Sequence, residues 1–161
     1  MKSFSKIQTS TRKSKKIFEQ GLGKQTEITG YPSKVSLPSL FFSKLFESRE
    51  MAHVYHLQVK GDEGSYAAHK ALNSYYDDII GYIDSMVEIY QGQYDIVDGY
   101  ETIDTSPTKS KDKIEYFKDL VDFIRDNRHK CLFEEDTHLQ NIVDEIVALI
   151  YKLLYKLRFN K

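Results

Sequence analysis

The chain lacks several features that would place it in a particular class of protein. Cys131 is the only cysteine among 161 residues, which excludes an intrachain disulfide and fits a reducing compartment. No apolar run approaches the ~20 residues that cross a bilayer. The first residues contain no apolar stretch typical of a secretory signal. We therefore expect a cytoplasmic protein with no membrane association.

Positive charge is concentrated at the start of the chain, although the net charge of the whole is only −1. Residues 1–34 carry eight Lys and Arg against two Glu, and the rest carries 15 basic and 22 acidic residues. An acidic body with a basic extension predicts an anionic partner for the extension. A solubilising tail fits the charges equally well, and the Ser, Thr and Lys content also allows an organelle transit peptide.

Within this extension, a short cluster of cations is the candidate nucleic-acid contact. Phosphates neutralised there would give strongly salt-dependent binding to DNA without sequence preference. Few aromatic residues lie nearby, so base stacking is not indicated. Docking of the extension on another protein is the competing interpretation. The cluster consists of Arg12, Lys13, Lys15 and Lys16.

Apolar residues recur at helical spacing in four segments, and no segment alternates as a strand does. The segments predict helices over about 39–60, 65–90, 109–129 and 136–158. Ser39 and the Asp136-Thr137 pair are suitable N-caps for the first and fourth helices. The predicted fold class is therefore all-α.

The connections between the helices predict how they are arranged. Short turns make hairpins of helices one and two and of helices three and four. The connection over 93–109, rich in turn residues, is long enough to cross a bundle from end to end. This pattern predicts a ferritin-like four-helix bundle over 37–161, preceded by a basic N-terminal arm over 1–36.

Metal-ligating residue types recur on the first two predicted helices. His56 lies just before the first turn and His69 just after it, so the two imidazoles can approach each other. Asp84 and Glu88 share a helical face with His69 but lie ~22 Å or more further along the axis. One ion cannot bind both groups within one chain. Asn73 and Asp77, on the same face, are weaker candidates.

Two copies of the second helix, packed antiparallel across a two-fold axis, would bring His69 of one chain to Asp84 of the other. The spacing therefore suggests a metal site shared between two subunits and made twice by symmetry. The competing interpretation is a set of hydrogen-bonded interface polar groups that hold no metal.

These offsets resemble the signature of the Dps-like miniferritins, which have two histidines about twelve residues apart and an Asp-x-x-x-Glu late in the second helix. The resemblance covers roughly 39–160, and the last helix, ending Leu153-Leu154-Tyr155-Lys156-Leu157-Arg158, is also similar to that of the family. The matching positions are His56, Val59, Lys60, Gly61, Tyr66, His69, Asp84 and Glu88.

The resemblance implies a function and a set of ligands. Miniferritins bind Fe(II), oxidise it with hydrogen peroxide or dioxygen, store it in a shell of twelve subunits and often associate with DNA. It implies that His56 and His69 act as neutral ligands from one subunit, and that Asp84 and Glu88 come from its neighbour. Mixed nitrogen and oxygen ligation with open positions suits redox-active iron. The implied protein is a homo-oligomeric ferroxidase, cytoplasmic or nucleoid-associated.

The chain also departs from the pattern of that family. The histidines are thirteen residues apart, Leu57 stands where the family has tryptophan, and the chain has no tryptophan at all. Asn73 stands where the family has an acidic residue, and Asp77, one turn later, is the candidate partial substitute. Residues 93–109 do not clearly encode the short helix that the family often carries. These departures favour an alternative: a non-enzymatic ferritin-like structural or assembly protein, of bacterial or viral origin, with a residual metal site.

Two Glu-x-x-His pairs offer a different metal site. Glu-x-x-His supplies ligands in larger di-iron bundles, so Glu50–His53 and Glu135–His138 leave open a di-iron site within one chain. Glu135 falls at the start of the fourth helix, where an acidic residue suits the helix dipole. That position argues against a site in the middle of the bundle.

Overall fold

The computed structural model describes residues 36–61 and 65–160, and this part of the chain contains helices and no strand. The all-α prediction is therefore confirmed. The predicted basic arm over 1–36 lies outside the described residues, apart from Ser36, and stays a prediction. The helices are α1 (Leu37–Gln58), α2 (Ser65–Gln93), α3 (Lys113–Cys131) and α4 (Thr137–Phe159), with a short 3-10 helix over Ser106–Lys109.

Two helices begin at different residues from those predicted. Helix α1 starts at Leu37, because the Ser36 hydroxyl accepts a hydrogen bond from the Ser39 backbone N–H at 3.2 Å. Ser36, and not Ser39, is therefore its N-cap. Helix α3 starts at Lys113 rather than near 109, because Asp112 accepts from the backbone N–H of Ile114 at 2.8 Å.

The four long helices form a bundle in which α1 packs against α2 and α3, and α4 packs against α2 and α3. Large apolar side chains from all four helices meet along its axis, and burying each contributes ~1.5–3 kcal/mol. The fully buried ones include Phe41, Phe42, Leu45, Met51, Leu72, Ile79, Ile83, Met86, Phe117, Leu120, Ile124, Ile146 and Ile150.

Contacts at both ends of α1 show that α3 runs antiparallel to it. The Tyr55 hydroxyl, near the end of α1, donates to the Lys111 carbonyl at 2.9 Å. At the other end, the Cys131 thiol lies 3.3 Å from the Leu37 carbonyl. Helix α3 thus begins at the end of the bundle where α1 finishes.

The segment between α2 and α3 lies along α1. The Glu101 N–H donates to the Ser43 hydroxyl at 2.8 Å, and the Gln58 side chain lies 3.5 Å from the Thr108 hydroxyl. Gly99 has a φ of 74°, a left-handed conformation that favours glycine, just before the chain meets α1. No helix of the described residues is both long and apolar enough to cross a membrane.

Candidate metal centre

His56 and His69 meet at the end of the bundle where α1 finishes and α2 begins. Their ring centroids are 3.7 Å apart and the rings are 28° from parallel, so the imidazoles are stacked. His56 is buried, with 8% of its surface exposed, and His69 is half-buried. The approach expected from the sequence is therefore present within one chain.

Hydrogen bonds to backbone carbonyls define which ring nitrogens carry protons. Nδ1 of His56 lies 3.0 Å from the His69 carbonyl, and Nδ1 of His69 lies 3.4 Å from the His56 carbonyl. Because a carbonyl only accepts, each Nδ1 is the protonated donor. A neutral imidazole protonated at Nδ1 keeps a lone pair on Nε2, and this is the atom that ligates metals.

A third imidazole and a tyrosine surround this pair. The Tyr76 ring centroid lies 4.7 Å from that of His53 and 5.4 Å from that of His56. The sequence connected His53 only with Glu50 and missed its place beside the histidine pair. The signal was there, because residues three apart on a helix, such as His53 and His56, lie on neighbouring faces.

Asn73 and Asp77, the weaker candidates, are hydrogen-bonded to each other. The Asn73 amide donates to the Asp77 carboxylate at 2.5 Å and accepts from the Tyr76 hydroxyl at 3.0 Å. Both polar ends of the Asn73 side chain therefore have partners on α2. This arrangement connects the Tyr76 ring, which packs on the histidines, to the Asp77 carboxylate.

Asp84 and Glu88 lie on the exposed surface of α2, one turn apart from each other. Within the described residues neither carboxylate makes a hydrogen bond or an ion pair, so their oxygens face solvent. Asp84 is ~22 Å along the helix from His69, and the structure does not bring them together. The described part of the chain contains no group of three or more His, Cys, Asp or Glu arranged to hold a metal ion.

The opposite end of α2 carries a polar cluster of Gln93, Tyr94, Asp136 and His138, which we call the Asp136 cluster. The buried Asp136 carboxylate accepts from the Gln93 amide at 2.6 Å and from the Tyr94 hydroxyl. Burial and the Asp136 carboxylate raise the pKa of Tyr94. Asp136 occupies the N-cap position of α4, as expected, but its side chain makes no capping bond.

The two Glu-x-x-His pairs have other partners in the structure. His138 Nε2 lies 2.8 Å from the Gln93 amide oxygen and donates to it, so this nitrogen is not available to a metal and only Nδ1 keeps a lone pair. Glu50 forms an ion pair with Arg49. These contacts give no support to a di-iron site within one chain.

The fold and the site together define an all-helical bundle with a stacked histidine pair at one end. Over residues 56–157 the chain matches the sequence model of DUF5856, a family of unknown function. This stretch is more than half of the chain and contains all four principal candidate ligands. The chain belongs to that family. No curated protein and no solved structure matches it.

Proposed function

We propose that this protein is a ferritin-like bundle, similar to the Dps-like miniferritins, that takes Fe(II) as substrate and oxidises it at a site shared between two subunits. The path of the chain supports the fold assignment. Two antiparallel hairpins joined by one connection along the length of the bundle form the topology of ferritin-like folds. Ser43 and Gln58, which lie toward opposite ends of α1, both contact that connection, and this agrees with such a path.

The observation that carries the proposal is the state of the two imidazoles. Both Nδ1 atoms donate hydrogen bonds to carbonyls, so the Nε2 atom of each of the two stacked rings keeps a lone pair for a metal. Carbonyl acceptors of this kind orient metal-ligating histidines in known metal sites. Two imidazoles are too few for a stable iron site, so the remaining ligands must come from elsewhere.

Asp84 and Glu88 are the groups suited to complete it. They are exposed, ionisable and without partners among the described residues, and carboxylate oxygens with imidazole nitrogens suit Fe(II). The distance along α2 that separates them from His69 in one chain is bridged when a second α2 packs antiparallel. A two-fold dimer of this kind forms two equal sites, each with histidines from one subunit and carboxylates from the other.

The electron balance follows from the oxidant. Hydrogen peroxide accepts two electrons, so two Fe(II) ions become Fe(III) while the O–O bond breaks and two protons are taken up to form two water molecules. Oxidation in pairs avoids release of hydroxyl radical, which is why such a site protects against peroxide. Storage in a shell of subunits and DNA association through Arg12, Lys13, Lys15 and Lys16 belong to the same proposal.

Subunit complementation tests the shared site directly. His56→Ala and Asp84→Asn should each reduce Fe(II) oxidation by peroxide to the rate without protein. Refolding the two variants together should restore about a quarter of the wild-type rate, because half of the dimers are mixed and each has one intact site. Refolded wild-type protein provides the control. Restoration that fails, while sedimentation shows mixed dimers, would contradict the proposal.

A second candidate function is that of a non-enzymatic ferritin-like structural or assembly protein. Two observations favour it. The Asp77 carboxylate is already bonded to Asn73, and Leu57, at the position of the family's tryptophan, is 69% exposed. Wild-type protein that forms a stable oligomer, yet oxidises Fe(II) no faster than buffer, would support this function and reject the first.

A further inference from the structure

A row of exposed aromatic side chains follows the outward face of α4. Tyr151, Tyr155 and Phe159 are 50%, 61% and 60% exposed, and we call them the aromatic row. Residues four apart lie along one line of a helix, and the ring centroids of Tyr155 and Phe159 are 5.5 Å apart with the rings 46° from parallel. The opposite face of the same turns packs in the core through Ile150 and Leu153. The row is therefore held in place by a rigid helix.

Positive charge accompanies the aromatic row. Lys152, Lys156 and Arg158 lie among its rings, and α4 has no acidic residue after Glu145. The Arg158 guanidinium carbon lies 4.9 Å from the centre of the Phe159 ring. Described residues make no ion pair with these three cations. Their charge is therefore available to an anionic partner.

The start of α2 lies at the same end of the bundle. Gln93 contacts Asp136, so the end of α2 meets the start of α4, and its beginning lies toward the end of α4. There Tyr66 is 73% exposed, and the Lys70 ammonium lies 6.0 Å from the centre of its ring. This second pairing of ring and cation lies on the face of α2 that carries His69 and is separate from the aromatic row.

We propose that the aromatic row and its cations bind single-stranded nucleic acid. Bases stack on exposed rings whatever their sequence, while Lys and Arg neutralise the phosphates. Ring centroids 5.5 Å apart, as in Tyr155 and Phe159, fit an extended strand better than a duplex, whose nucleotides repeat every ~3.4 Å along each strand. A contact with another protein is less well matched, because Lys is depleted in the cores of such interfaces.

This surface is separate from the iron chemistry and from the arm. It uses none of the candidate iron ligands, and the arm proposal concerns residues 12–16 and phosphate contacts without stacking. Failure of either earlier proposal leaves the row intact as a binding surface. The two nucleic-acid proposals also predict different preferences. The arm contacts phosphates without stacking on bases, so it should not discriminate single strands from duplexes, whereas the aromatic row should prefer single strands.

Fluorescence anisotropy of the full chain with labelled oligothymidylate, and with a duplex of equal length, tests the inference. Each of Tyr155→Ala and Phe159→Ala should weaken single-strand binding about tenfold and leave duplex binding unchanged. Tyr100→Ala is the matched control, because Tyr100 is 42% exposed but contacts Phe46 on α1. Lys152→Gln should weaken binding and lower its salt dependence, while Lys130→Gln, exposed at the far end of α3, should not.

Several results would overturn the inference. One is single-strand affinity that the ring substitutions leave unchanged. Another is a Tyr155→Ala variant whose mass in sedimentation is lower than that of the wild type while its single-strand affinity is unchanged. That result would make the row a contact between copies of this chain. Ring-dependent binding to anionic lipid vesicles, with no binding to oligothymidylate, would assign the row to a membrane surface instead. Circular dichroism of each variant establishes that the helices remain.

Discussion

The two ends of α2 carry polar clusters that close the bundle in different ways. At one end, His56 and His69 stack and donate from Nδ1 to each other's carbonyls. At the other, both oxygens of Asp136 accept hydrogen bonds from Gln93 and Tyr94. Both arrangements give hydrogen-bond partners to buried polar groups, which is necessary wherever a helix end is buried away from water.

The difference lies in how many imidazoles are brought together. Each imidazole of the histidine pair has used one nitrogen and keeps the other, and the two rings are stacked. His138, whose Nε2 donates to Gln93, also keeps one nitrogen, but among the described residues no second imidazole stacks on it. The Asp136 carboxylate has no exposed oxygen in need of a partner. Histidine and carboxylate residues occur at both ends, so residue type alone does not separate a candidate site from a structural cluster. The pairing of two imidazoles, each with one nitrogen left, does.

The largest expected effect comes from removing one imidazole at each end. His69→Ala should lower Fe(II) oxidation to the rate in buffer, because it removes a ligand nitrogen and the stacked partner of His56. His138→Ala should retain the wild-type rate, because His138 lies beside Gln93, at the opposite end of α2 from the histidine pair. Absorbance of the ferric product after peroxide addition measures both. Equal losses in the two variants would abolish the distinction between the ends.

A smaller effect, on stability alone, is expected from the Asp136 cluster. Asp136→Ala should reduce the free energy of unfolding by ~2–3 kcal/mol, because Gln93 and Tyr94 lose the acceptor of their hydrogen bonds. Urea unfolding followed by circular dichroism measures this loss. Asp126→Ala, exposed on α3, is the control and should change stability little. Iron oxidation should be unchanged, and a loss of it would show that this cluster supports the site.

The smallest effect concerns Tyr55, near the histidine pair. Burial, with the Asp112 and Glu115 charges, raises its pKa to about 12. Because the folded state favours the neutral phenol, this stabilisation is complete below pH 10 and is lost as the pH rises toward 12. Tyr55→Phe should remove ~1 kcal/mol of stability at neutral pH and reduce the loss above pH 10.

Unfolding at a series of alkaline pH values measures this difference. Tyr151→Phe serves as the control, because half of the Tyr151 surface is exposed. Parallel stability curves for Tyr55→Phe and the wild type above pH 10 would contradict the role given to Tyr55.

Much of the fold was predictable from the period of apolar residues. The buried positions Leu72, Ile79 and Ile83 recur at helical spacing, so the second helix was predicted to within a few residues. Helix starts were less predictable, because Ser36 and Ser39 are equally good caps by residue type. The choice depends on where α1 meets the rest of the bundle. The short 3-10 helix over 106–109 has no apolar period to reveal it.

Less of the candidate site was predictable. The approach of His56 to His69 follows from their places on either side of one turn. The packing of His53 and Tyr76 around them depends on how α1 and α2 are rotated against each other. The engagement of His138 depends on the end of α2 reaching the start of α4, a contact between residues more than forty positions apart.

The sequence by itself determined that this protein is helical, where its helices lie, and that imidazoles and carboxylates share one side of the second helix. These are local properties, because they depend on residue type and on spacing within one turn or a few. Only the tertiary structure decided which polar groups remain available. That outcome depends on which partners the bundle brings within hydrogen-bonding distance, and such partners are distant in sequence and set by the packing of whole helices.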